Sequence, residues 1–300
     1  MSKLTSLKDA IALHVSDGDI IYAAGFTHLI PFAAGHEIIR QNKKNLTLAR
    51  ATPDLIYDQL VAAGCARKVI FSYMGNPGVG SLRIIRSALE KGQLEWEEYS
   101  HFGMITRLQA GASGLPFLPM KQTGATDLER ANPQIKRVTD PYSGEEVIVV
   151  PALNPGVAII HVQRADKNGN AHLWGIVGEQ KEVAFAAKKI ILTAEEIVDE
   201  SVIRSDPNRT LIPGFIVSSV CHVPFAAHPS YAQGYYDRDN EFYLSWDKIS
   251  ENPESVKKYL DEWVYNIHDR EEYWHKLGAE KHAALKNKPR ISATVDYGDY

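Results

Sequence analysis

Cysteine is nearly absent from this chain: only Cys65 and Cys221 occur among 300 residues, in no CxxC pair and at no metal-ligand spacing. That excludes a disulfide framework and a zinc ribbon, and leaves free buried thiols as the expectation for both. The 11 histidines are scattered and no HExxH occurs, so no metal is expected. Long apolar runs are missing too. The longest uncharged stretch, residues 210–236, is broken by Pro213, His222, Pro224 and His228, which is unlike the roughly 20 apolar residues that span a bilayer. Neither sign of charge dominates. A formal net charge of -4 gives no basic footprint for nucleic acid or anionic membrane, so small solutes are the expected partners. The opening residues, Met1 to Asp9, hold no apolar signal core, and with so few cysteines the expected home is a reducing cytoplasm.

What the chain does have is alternation of strand-like and helix-like segments. Apolar runs at 19–24, 46–49, 68–71, 156–162 and 189–194 read as strands, and helical spacing recurs at 4–14, 32–40, 54–64, 81–90, 102–112 and 179–188. This order predicts an α/β fold: an open, mostly parallel sheet covered by helices, as one body over residues 1–300. A polar, proline-bearing stretch, 122–146, interrupts the pattern and reads as a flap or insertion. Near the end, 254–266 and 270–285 read as amphipathic helices. Their stripe of Val256, Tyr259, Leu260, Trp263 and Ile267 is expected to cap the body or meet a partner. The cluster of Tyr231, Tyr235, Tyr236, Tyr243 and Trp246 fits either an interface or internal packing.

Two glycine turns follow strands. In Phe71-Ser72-Tyr73-Met74-Gly75-Asn76-Pro77-Gly78-Val79-Gly80-Ser81 an apolar run feeds a turn that opens into a helical pattern, and Gly25-Phe26-Thr27 sits likewise between a strand and a helix. Helix starts leave amides unpaired, and ligands of open α/β sheets gather at the carboxyl ends of strands. Both turns are therefore expected on one rim, with Gly25, Phe26, Thr27, His28, Ser72, Gly75, Asn76, Gly78 and Gly80 as candidates to hold an oxyanion or a substrate. Tight turns and a helix-capping Thr27 are the plain alternatives. His101, at a helix start, is a candidate for the distal carboxylate of an acyl group. Arg107 reads as a carboxylate fork or as the partner of an acid such as Glu98. His228, before Pro229, reads as structural.

Taken in order, Leu7-Lys8-Asp9-Ala10-Ile11, Asp17-Gly18-Asp19, Ala24-Gly25-Phe26-Thr27, Ser72-Tyr73-Met74-Gly75-Asn76, Ala110 to Phe117, Val157 to His161, Ala165 to Asn170 and Ala227-His228-Pro229-Ser230 resemble the A (α) subunits of family I coenzyme A transferases, on their glutaconate and 3-oxoadipate side. The resemblance implies exchange of CoA between a thioester and a free acid through a glutamate. That carboxylate attacks the donor thioester to give an acyl anhydride and CoA thiolate, and the thiolate returns to form a glutamyl-CoA thioester. It further implies that the glutamate sits in a B subunit, in a Glu-Asn-Gly turn that this chain lacks. No catalytic residue is then expected here. The resemblance also implies that CoA is a substrate with no permanently bound cofactor, that the donor is succinyl-CoA or acetyl-CoA, that the acceptor is a short dicarboxylic or 3-oxo acid, and that the assembly is A2B2. Ala24 departs from a family glycine, and its methyl bears on how closely substrate meets the backbone. Two other readings stay open: a hydrolase cleaving a thioester or carbon-carbon bond, whose glutamate near the place of His101 has Glu97 and Glu98 as nearby counterparts, and a CoA-ester binding protein without activity.

Overall fold

In the computed structural model, which describes residues 2–75, 80–121 and 126–287, the apolar runs form two sheets. Strands β1 (Ile20–Ala23), β2 (Leu46–Ala49), β3 (Ala66–Phe71) and β4 (Glu95–Glu98) lie side by side and parallel. The short strands β5 (Phe117–Met120), β6 (Lys136–Thr139) and β7 (Glu146–Pro151) form a separate antiparallel sheet, so part of the polar interruption is itself β structure. Beyond it, β8 (Val157–Ala165) returns beside β1, followed by β10 (Lys189–Ile197) and β12 (Ser219–His222), all parallel. The pieces β9 (Ala171–His172) and β11 (Thr210–Ile212) add the antiparallel pairings of a nine-stranded sheet.

Period-two alternation sends neighbouring residues to opposite faces, and this builds two cores. Ile21, Ala23 and Leu48 face one, with helices α1 (Leu7–His14), α2 (Phe32–Arg40), α3 (Leu55–Ala62) and α4 (Arg83–Glu90). Tyr22, Ala24 and Ala49 face the other, covered by α5 (His101–Ala112), while the short α6 (Leu128–Ala131) leads into β6 and α7 (Gln180–Ala186) covers the same face as α5. After α8 (Glu200–Ser205) come α9 (Asn240–Ile249), α10 (Pro253–Leu260) with a π-helical turn, and α11 (Arg270–Leu285), kinked at Gly278. The apolar stripe of the carboxyl-terminal helices packs on the body: Val256, Tyr259, Leu260 and Ile267 are buried. So are Tyr236, Tyr243 and Trp246, which settles those three aromatics as internal packing. Both cysteines are free and buried, and burial pushes their thiols up to about 11 (Cys65) and about 12 (Cys221). No described helix is long and apolar enough to cross a membrane.

The start of α4 departs from the expected open anion site. Asp58, wholly buried on α3, accepts from the Ile85 amide at 2.9 Å with one oxygen and from Trp246 Nε1 at 3.0 Å with the other. A carboxylate from within the chain thus occupies the first-turn amides that the glycine turn was expected to offer a solute. Asp58→Ala leaves a backbone and an indole donor buried and unpaired, and we expect chemical unfolding to report a loss of about 3 kcal/mol.

Candidate active site on the carboxyl rim of the sheet

Because β1 to β4 are parallel, their carboxyl ends open on one rim, and the segments that follow them emerge side by side. The Gly25 loop leaves β1, Arg50-Ala51-Thr52 leaves β2, Ser72 leaves β3, and Tyr99-Ser100 leads from β4 into α5, whose cap is Ser100 Oγ accepting from Gly103 N at 3.0 Å. That cap places His101 on the rim, exposed.

The imidazole of His101 bridges two of these loops. Its Nδ1 lies 2.8 Å from Ser72 Oγ and its Nε2 lies 2.8 Å from Thr52 Oγ1. Ser72 donates its own proton to the Ala51 carbonyl at 2.6 Å, so Ser72 Oγ accepts from Nδ1–H. In the neutral ring Nε2 then accepts from the Thr52 hydroxyl. Phe26 brings in the third loop, its ring meeting the His101 ring edge-on at 6.3 Å between centroids. The Gly25 and Ser72 turns thus converge on His101.

The Gly25 loop is held in an unusual shape. Gly25 has φ +125°, and Thr27 and Leu29 sit at φ 55°. A methyl on Gly25 would stand 2.7 Å from the His28 carbonyl oxygen. Ser230 Oγ donates to the Thr27 carbonyl at 2.8 Å, and the Leu29 amide donates to Tyr231 O at 2.9 Å. Thr27 caps no helix, since α2 begins at Phe32 behind Pro31. His28 is wholly buried: Nδ1–H donates to Ile176 O and Nε2 accepts from Gln233 N, both at 3.0 Å. Burial pulls its pKa down to about 4. Its ring therefore pins the loop and leaves no nitrogen free for a solute. Ala24 is also wholly buried in the second core, so its methyl meets the protein interior rather than a substrate.

Among the remaining candidates, a methyl added to Gly75 would meet the Tyr73 phenol at 3.3 Å, and one added to Gly80 would meet Asp247 Oδ1 of α9 at 3.2 Å. Asn76 and Gly78 lie outside the described residues. Arg107 is buried and donates to Glu97 Oε2 at 3.1 Å and to Pro151 O at 3.0 Å, so its acid partner is Glu97, not Glu98. Burial alone would raise the Glu97 carboxyl, but Lys68 at 2.6 Å and Arg107 together hold it below the usual carboxylate range. Burial raises Glu98, which is half-buried at the end of β4. His228 is enclosed between Tyr273 OH at 3.0 Å and Asp239 Oδ2 at 3.1 Å, which accords with the structural reading.

Three groups here carry no sequence motif: Thr52, Arg50 and Glu179. Arg50 is 1% exposed and donates through Nη2 to the Gly25 carbonyl. Glu179, buried just ahead of α7, accepts from Tyr22 OH at 3.0 Å. Its pKa is raised by burial, against the charge of Arg50. The signal available in the sequence was positional: Arg50 and Thr52 directly follow a buried strand. The assembled rim offers hydroxyls and an imidazole, equipment to hold an acyl group, while the Ser72 and Tyr73 amides are already spent on Ala51 O. Of the two hydroxyls on the imidazole, Ser72 accepts from Nδ1–H and Thr52 donates to Nε2.

Residues 4–222 match the coenzyme A transferase family. Over 94% of its length the chain is 49% identical to the whole of the A subunit of a 3-oxoadipate CoA-transferase from Pseudomonas knackmussii. It is 37% identical, over 99% of this chain and 98% of the relative, to the A subunit of a glutaconate CoA-transferase from Acidaminococcus fermentans. The crystal structure of that organism's glutaconate coenzyme A-transferase superposes with a TM-score of 0.91, covering 98% of this chain and 99% of its own. More distant, at 27% identity over 89% of this chain and 93% of the relative, is a cholesterol ring-cleaving hydrolase IpdA subunit from Rhodococcus jostii. With the fold, the order of the motifs and the sequence in agreement from end to end, the chain belongs to the coenzyme A transferase family.

Proposed function

We propose that this chain is the A subunit of a two-chain CoA-transferase that moves CoA from succinyl-CoA or acetyl-CoA to a short dicarboxylic or 3-oxo acid. The observation that carries the reading is the convergence of the Gly25 and Ser72 loops on His101 at the carboxyl rim of the sheet. Each step of glutamyl transfer puts negative charge on a thioester or anhydride oxygen, which the amides of the Gly25-Phe26-Thr27 turn would receive. Ser72 and Thr52 would hold the acyl group, and His101, once Nε2 carries a proton and turns from Thr52, would hold the far carboxylate of a dicarboxylic substrate. The nucleophile comes from the B subunit, whose glutamate would sit over this rim in an A2B2 assembly. CoA enters and leaves as substrate, in the cytoplasm.

The test is co-expression with a B subunit, incubation with acyl-CoA, and borohydride trapping followed by mass spectrometry. A reduced glutamyl adduct on the B subunit and CoA-ester exchange are the expected results; no exchange across a panel of dicarboxylic and 3-oxo acids overturns the reading. His101→Gln in this pair should raise KM for a dicarboxylic acceptor by about tenfold, the worth of one charge-assisted hydrogen bond, while KM for a monocarboxylic acid stays within twofold. The hydrolase reading has less support, since Glu97 is committed to Lys68 and Arg107. Rapid CoA release without any acceptor acid would restore it.

A further inference from the structure

We propose that Arg50 is a positioning residue of the transfer reaction: by holding the Gly25 carbonyl from the interior, it turns the Phe26 N–H of the same peptide outward toward the acyl oxygen. The inference rests on the CoA-transferase reading above and adds a residue that no motif marks.

The geometry follows from the peptide plane. In a trans peptide the C=O and the N–H of the next residue point in opposite directions, and the Gly25–Phe26 bond is trans. Arg50 is buried and donates through Nη2 to Gly25 O, so the Gly25 carbonyl is directed to the interior and the Phe26 amide away from it. The Phe26 ring at the His101 ring shows that this residue reaches the rim. The same arginine ties the rim together, because its own amide donates to Ile70 O at 2.9 Å on β3. One residue thereby registers the loops after β1, β2 and β3.

Charge adds to orientation. A carbonyl bonded to a cation is polarised, and its peptide N–H becomes a stronger donor. Fixing Gly25 O alone does not account for a guanidinium here. Nε and Nη1 of Arg50 are buried without a hydrogen-bond partner, and the carboxyls of Glu179 and Asp54 act on it only through space. A charge this incompletely paired is a poor device for stability alone, and it stands behind the peptide that would receive a developing oxyanion.

The test compares Arg50→Met and Arg50→Lys with the unmodified chain, each with its B partner. Loss of one oriented donor predicts a fall in kcat of about 100-fold for Arg50→Met, with KM for acyl-CoA within threefold and about tenfold recovery in Arg50→Lys. Hydrogen–deuterium exchange on this chain without its partner supplies a readout independent of activity: the Phe26 to His28 amides should exchange faster in Arg50→Met, with circular dichroism unchanged. A folded Arg50→Met with kcat within threefold overturns the proposal. So does Arg50→Lys no better than Arg50→Met, which marks the residue as merely structural. If the unmodified pair shows no exchange of CoA, the transferase reading fails, and amide exchange alone then decides whether Arg50 orients this loop.

Discussion

Replacing Gly25 by alanine should cost the fold about 4 kcal/mol, the sum of a forbidden backbone angle and an overpacked contact, and should remove transfer activity almost entirely. At φ +125° an L-residue is strained whatever surrounds it. Here the surroundings are also closed. The added methyl would lie 2.7 Å from His28 O and 2.9 Å from Leu29 O, backbone atoms that cannot rotate aside. Relief requires moving the loop, and the loop carries the Phe26 amide and the ring set against His101. Losing one oxyanion donor typically costs a factor of about 100 to 1,000 in rate. Gly92→Ala is the control, since Gly92 also has a positive φ, +66°, but no atom stands within 4 Å of the added methyl. It should lose about 1 kcal/mol, the backbone cost alone, and keep full activity. Urea unfolding and steady-state exchange on both variants settle the matter; equal stability losses at the two sites would show that the close approach at Gly25 is not what matters.

The shared rim of the Gly25 and Ser72 turns was legible because it depends only on element order. A strand, a glycine turn and a helix, repeated, imply parallel neighbours, and parallel neighbours share a carboxyl rim. The reading of Gly25, Phe26 and Ser72 as neighbours on one rim needed no side-chain detail, whereas His101 reaches it by way of β4. β4 was not legible: Glu95-Trp96-Glu97-Glu98 reads as solvent-facing polarity, and only the parallel pairing with β3, which sets Lys68 on Glu97 and Arg67 near Glu95, makes a strand of it. The same non-locality explains the start of α4. Its amides looked free in the sequence, but Asp58, 27 positions earlier, reaches them. His28 looked like a binder because it follows the loop. Its partners Ile176 and Gln233 lie 148 and 205 positions away, and nothing local announces that they enclose it. Arg50 and Thr52 escaped for a related reason, since their chemistry depends on which strand lies between β1 and β3.

The second large effect is on stability in acid. His28 and His228 are both buried, and burial pulls each down to about 4, against an ordinary value of 6.5. Between those values the unfolded chain binds the proton that the folded chain refuses, so stability falls as pH drops through 6.5 and levels off below about 4. From pH 7 to pH 4.5 each histidine should remove roughly 2.5 kcal/mol. His36, buried with Nε2 at 2.9 Å from Gln59 Oε1, acts in the same direction. Asp58 opposes them: burial raises it to about 6, so its folded form takes up the proton first and gains roughly 2 kcal/mol over the same interval. The histidine share is therefore read as a difference in slope. His28→Gln and His228→Gln should each flatten the pH dependence by roughly 2.5 kcal/mol relative to the unmodified chain, whatever fixed cost the substitution carries. The structural cause differs between them. Around His228, burial outweighs the pull of Asp239, and Arg270 and Lys281 add repulsion, so the imidazole stays neutral between Asp239 and the Tyr273 hydroxyl. At His28 a proton on Nε2 would face the Gln233 N–H that now donates to it, breaking the contact that pins the Gly25 loop. Acid inactivation should accordingly precede unfolding in the unmodified chain, with exchange activity lost at a higher pH than the far-ultraviolet signal. Coincident loss of both would mean that the His28 contact is not what holds the rim in shape.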